Sequence, residues 1–350
     1  MNWRDLSQFP QSTLNDDWRV RKGRTVECVG IEHAKKEFAC WRVLNRNLVL
    51  APGSHAFLPA ILIEGYASDA HGAFILACRK GMLTLFVAIL MLYMVSRSTS
   101  LSLAGAIQAN IALLAIAVFD HLTVVRNITA LQERELFGYW VRTQSRTDMY
   151  FWTAVMLVAG GIQLLMQERL HGVDELLVRF GAYFPALAQG EYWRVLTGPF
   201  LHASLAHWLS NFLSLIPIAM ITARICRKAC IPLFLVGSAI GVLFVFVFQG
   251  HHDAICGVSA GIFALTGFII MIGFRFPEHF PSHFYKTVLV LSAGDMIIAQ
   301  CLMPSSSLVA HIAGMLTGII VGYLLPTSAV SPEILASNHC PNKFTTVEGG

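Results

Sequence analysis

Uncharged apolar runs and short charged breaks alternate along most of this chain, and the run lengths predict membrane-crossing helices. The runs fall at 81–96, 98–119, 150–166, 203–223, 231–249, 254–274, 287–303 and 308–325. Most approach the ~20 residues that span a bilayer core. Among them, only 287–303 contains a formal charge, Asp295. The predicted fold is therefore an all-α polytopic membrane protein. Residues 81–149 read as a two-span hairpin, turning at Arg97, with a polar linker over 120–149. Residues 150–325 read as a six-span bundle.

Two stretches break this pattern. Residues 1–80 are mixed in character, and their apolar part at 48–63 is interrupted by Pro52, Gly53 and Pro59. They predict a small soluble region with short strands, and no short apolar signal region opens them. The connection 167–202 is too polar to span and too apolar to be disordered, which predicts an amphipathic segment at the membrane surface. Residues 326–350 are polar, carry Pro326, Pro332 and Pro341, and predict a disordered tail.

Charge sets the orientation. The chain has 25 Lys and Arg and only 13% charged residues overall, against about 25% in soluble domains. With the N-terminus inside and eight spans threaded, 21 of the 25 basic residues fall on the cytoplasmic side. The positive-inside rule then favours cytoplasmic N- and C-termini. The eight cysteines form no CxxC pair, and no P-loop or nucleic-acid motif is present.

Polar residues recur at one depth. The runs at 203–223, 254–274 and 308–325 all enter from the outer side. They carry, in or just before their first turns, His202, His207 and Asn211, then Ser259, then His311. At 1.5 Å per residue these lie about 5–10 Å inside the outer surface. Intramembrane ionisable groups are costly and point to function. Two chemistries compete. Zinc could use His202, His207 and His311, with His251 and His252 nearby. But His202 and His207 are five residues apart, about 140° net around a helix of 3.6 residues per turn, which predicts different faces. A serine–histidine pair fits better, because serine needs a base and a neutral imidazole is one. Asn211 follows His207 by one turn, so both can donate to an oxyanion. Gly257 and Gly261 frame Ser259. Gly314 and Gly318 lie on the face of His311, a small-residue stripe that lets its helix approach the serine helix.

In combination these motifs resemble the rhomboid intramembrane serine proteases over residues 150–325. The carriers are Trp193-Arg194, the stretch His202-Ala-Ser-Leu-Ala-His207-Trp-Leu-Ser-Asn211, Gly257-Val-Ser259-Ala-Gly261, and Ala310-His311-Ile-Ala-Gly314-Met-Leu-Thr-Gly318. The resemblance implies Ser259 as nucleophile and His311 as general base. It implies Asn211, His207 and the Ser259 N–H as oxyanion donors. Trp193 and Arg194 would order the loop, and His202 would buttress it. Where the family often has a tyrosine packed on the catalytic histidine, this chain has Phe263. Asp295 lies deeper than the serine and is expected to serve packing rather than a triad.

The implied activity is cleavage of transmembrane helices in membrane-protein substrates within the lipid bilayer, with no metal or other cofactor and no nucleic-acid partner. The alternative is a catalytically silent rhomboid-like protein that binds membrane helices. The expected location is a bacterial inner membrane.

Overall fold

The computed structural model describes residues 3–12, 17–22, 24–30, 47–63, 65–98, 103–249, 254–302 and 307–336. The His251, His252 pair named above lies outside the described residues. Two compact units emerge from the contacts.

The first unit comprises Met1–Trp140, Glu278–Phe284 and Ala336–Gly350. Its sheet has the order β2-β1-β3, with β1 at Trp18–Lys22, β2 at Thr25–Val29 and β3 at Leu48–Leu50, all antiparallel. β1 alternates as half-buried strands do: Trp18 and Val20 are buried while Arg19 and Arg21 are less so. Behind it pack Val49, Ile61, Ala70 and Leu131. Ala70 belongs to α1, Ala67–Ser98, which begins well before the apolar run at 81. Hydropathy marks where a helix crosses lipid, not where it starts. α2, Ala104–Asp120, closes in a π-turn at His121–Val125, whose last carbonyl meets His71 Nε2 at 2.7 Å.

The polar stretch expected as a linker instead holds α3, Ile128–Gln144. Its Leu131, Leu136 and Trp140 are fully buried. Its buried residues are spread around the helix among charged ones, so a polar average hid it. Near its end, Phe137 packs edge-on to Trp3 and Phe284. The segment 278–284 is held in this unit by specific bonds. Trp3 Nε1 donates to the His279 carbonyl at 2.9 Å, and Glu133 accepts from both the N–H and the hydroxyl of Ser282.

The second unit comprises Val141–Pro277 and Tyr285–Leu335. It contains α4 (Arg146–Arg169), α5 (Val173–Phe180), α6 (Leu205–Phe248), α7 (Ser259–Arg275), most of α8 (Phe284–Leu302) and α9 (Leu308–Leu324). Among the described residues, five helices have the length and hydropathy to cross a membrane, and α7 and α9 are shorter apolar helices of 17 residues. The expected spans 203–223 and 231–249 form one 44-residue helical run. It is broken only at Cys226, where φ −154° and ψ 93° leave the helical region. This is a multi-pass membrane protein, mostly helical, with a small N-terminal sheet.

Nearly every residue of α7 is buried. Its neighbours come close because they meet it with glycine. A Cβ on Gly237 or Gly241 of α6 would collide with Ala264 or Ala260, and one on Gly314 or Gly318 of α9 would strike the carbonyls of those same alanines. Packing without lipid between helices is driven by such contacts. The tail expected to be disordered is ordered over its described part. Ser331 N–H donates to the Ile225 carbonyl at 2.8 Å, and Ile334, in the turn Pro332–Leu335, is fully buried. Residues 337–350 lie outside the described set.

Candidate active site

Three helix starts converge within the second unit, and each is fixed locally. α6 begins behind Ser204, whose hydroxyl accepts from the His207 N–H at 3.2 Å. α9 begins behind Ser307, which accepts from Ala310 N–H at 3.2 Å and bonds Gln249 Oε1 at 3.0 Å. Such caps satisfy orphan N–H groups of the first turn and so set where His207 and His311 begin their helices. Ser259 is the first residue of α7. Its own N–H is among those with no intrahelical partner.

His311 Nε2 lies 2.9 Å from Ser259 Oγ. The imidazole is buried and rests on Phe263, ring centres 4.7 Å apart. The other polar groups gather around Gly257. This glycine has φ +100°, open to few other residues. A Cβ there would lie 2.5 Å from His207 Cε1 and 3.3 Å from Asn211 Nδ2. The backbone just before the serine therefore runs against both side chains. Asn211 is buried, and its Nδ2 has no hydrogen-bond partner among the described residues. A donor held in that state suits a group that arrives later. A cavity of about 180 Å³ opens here, lined by Leu177, His207, Val242, Gly257, Ser259 and His311.

His202 sits differently from the expectation. It precedes the first helical residue, Leu205, so helical spacing does not apply to it. Its ring meets that of His207 edge to face at 5.2 Å, rather than facing away. Gln163 of α4 grips its main chain, a contact the sequence reading missed. The only trace was a glutamine inside an apolar run.

The surface connection folds as short pieces. α5 is amphipathic and buries Leu176. The strand Ala182–Tyr183 pairs antiparallel with Ala254–Ile255, so the connection is tied to the segment leading into Ser259. Arg194 is buried and binds Glu191 Oε2 at 2.8 Å and the carbonyls of Val178 and Gly181 at 2.9 and 3.0 Å. Its guanidinium stacks over Trp193, which is itself exposed. Gly261 lies against Phe234 and Ser238 of α6. Asp295 sits midway along α8 on an exposed side.

Comparison with known proteins agrees in location. Residues 189–328 match the family model of the Rhomboid domain. Over 144 residues the chain is 29% identical to YdcA of Bacillus subtilis (strain 168), provisionally named a rhomboid protease, covering 41% of this chain and 71% of that protein. Over 100 residues it is 34% identical to the rhomboid protease GluP of the same organism, covering 28% of this chain and 19% of that protein. The matched region holds Ser259, His311 and the groups around Gly257, so the part of the chain that carries the candidate site is the part similar to the Rhomboid domain.

Proposed function

We propose that this protein is an intramembrane serine endopeptidase that cleaves transmembrane helices of other membrane proteins. One observation carries the reading above the rest: a serine hydroxyl and an imidazole nitrogen, from two different membrane helices, 2.9 Å apart in a lined cavity. Within hydrogen-bond reach, a neutral imidazole can take the serine proton as the oxygen attacks.

In this mechanism a substrate helix enters from the bilayer and unwinds locally, because its main-chain hydrogen bonds protect the peptide. Ser259 Oγ attacks the carbonyl carbon, and its proton passes to His311 Nε2. The developing oxyanion accepts from the Ser259 N–H, Asn211 Nδ2 and His207. Collapse breaks the C–N bond, and His311 returns the proton to the leaving amine. Water then attacks the acyl-enzyme, again through His311, and frees the acid. Trp193, Arg194 and His202 hold the covering loop, and Phe263 holds the imidazole.

Eight spans support the membrane topology when α6 counts as two and the 17-residue helices count as one each. The basic-residue distribution supports cytoplasmic termini, and the Bacillus relatives suggest a bacterial cell membrane.

The test is covalent labelling of detergent-purified protein by a fluorophosphonate, which phosphonylates an activated serine with loss of fluoride. Wild type should label, and Ser259→Ala and His311→Ala should not. A folded wild type that stays unlabelled, or a Ser259→Ala protein that labels equally, would overturn the proposal.

A further inference from the structure

A second polar cavity of this unit plays no part in this chemistry. It has a volume of about 780 Å³ and opens where α6 breaks at Cys226, beside the residues that follow α9. Its polar wall is Arg224, Arg227, Lys228, Ser328, Ser331 and Glu333. Its remaining wall includes Ile225, Ala229 and Leu325.

Arg224 is the informative residue. Its side chain is only 15% exposed. The nearest acid oxygens, on Asp148 and Glu333, are both 3.6 Å away, too far for hydrogen bonds. Its Nε is buried without a hydrogen-bond partner among the described residues. A guanidinium so placed forgoes most of its five donors, and such groups normally fork onto a carboxylate or phosphate. Arg227 takes the shorter contact, 3.1 Å to Asp148 Oδ1. Lys228 is exposed at the rim. Three cations against two carboxylates leave the site net positive.

We propose that this cavity binds the phosphodiester headgroup of an anionic phospholipid. Arg224 would hold the phosphate, with Lys228 at its edge and the Ser328 hydroxyl donating to it. A lipid is favoured over a free phosphate because apolar residues line the cavity beside the cations. Leu324 and Ile231, on either side of the lining residues in sequence, are 70% and 46% exposed and can carry acyl chains. This is also the end of the bundle to which the basic residues assign the cytoplasmic leaflet, where anionic lipids give each nearby Lys or Arg about 1 kcal/mol.

The experiment uses the full chain in nanodiscs of phosphatidylcholine alone or mixed equally with phosphatidylglycerol, followed by native mass spectrometry. Wild type should retain phosphatidylglycerol in preference to phosphatidylcholine. Lys228→Gln, at an exposed position with little bearing on folding, should reduce that preference about fivefold. Arg224→Gln should reduce it further, and Ser259→Ala should leave it unchanged. Equal retention of the two lipids by wild type, or an unchanged preference in Lys228→Gln, would overturn the proposal. So would inorganic phosphate that, in phosphatidylcholine discs, raises the melting temperature as much as phosphatidylglycerol does. That outcome would make the site one for a soluble anion.

Discussion

Gln163 holds His202 by both sides of its peptide group: Nε2 donates to the His202 carbonyl at 2.6 Å, and the His202 N–H donates to Oε1 at 2.9 Å. The two residues are 39 positions apart, and both are buried. This pair fastens the turn ahead of α6 to α4. Gln163→Leu keeps the volume and removes both partners. Each main-chain group then left unsatisfied costs about 1–3 kcal/mol. We expect a lowered melting temperature and a fall in kcat/KM, both read in one purified preparation. Gln163→Glu, which keeps the acceptor alone, should fall between.

Asn211 should act in the transition state only. Its Nδ2 has no hydrogen-bond partner among the described residues and lies beside the backbone that precedes Ser259. Removing one oxyanion donor typically lowers kcat about 10²–10³-fold. Asn211→Ala should show that loss with KM little changed, measured on a reconstituted transmembrane substrate. A change in KM alone would assign Asn211 to substrate binding.

Gly318 tests how tightly the imidazole helix is pressed on the serine helix. A Cβ there would strike the Ala264 carbonyl, so even alanine must push the helices apart. Overpacking of this kind costs about 1–3 kcal/mol. Gly318→Ala should weaken fluorophosphonate labelling as well as lower stability, because the hydroxyl–imidazole contact spans those two helices. A variant that is less stable but labels at the wild-type rate would separate the packing from the chemistry.

His279 gives the first unit a pH dependence. Burial, the largest cause, lowers its pKa from the usual 6.5; Glu278 partly opposes this, and Arg4 adds a smaller lowering. The native form therefore binds its proton less readily than the unfolded chain does. Stability that is complete above pH 6.5 should be lost as pH falls toward the depressed native value. Hydrogen exchange at residues 280–284, corrected for intrinsic rates, should quicken on acidification below pH 6.5. His279→Gln should flatten that response.

Much of this molecule can be read from apolar run length, and some of it cannot. α7 and α9 lie within a few residues of the runs that predict them, because a helix in lipid must satisfy its own backbone. Ser259 and His311 are legible because a polar group at matched depth on different spans has few structural reasons to be there. Gln163 is not, since its partner is a main-chain group 39 residues away and no periodicity records it. His202 misled for a related reason: helical geometry was applied to a residue that lies just before the helix. α3 is hidden because its buried Leu131, Leu136 and Trp140 share no single face and alternate with charged residues, so neither run length nor periodicity marks it.

The indole of Trp3 waits for a carbonyl 276 residues further along the chain. During synthesis the first residues leave the ribosome early, yet one of their deepest contacts is with the turn at 278–284, between the serine helix and α8. The N-terminal unit therefore cannot finish folding until α7 has been made and the chain has turned back. Its completion thus reports that most of the membrane helices have already been translated.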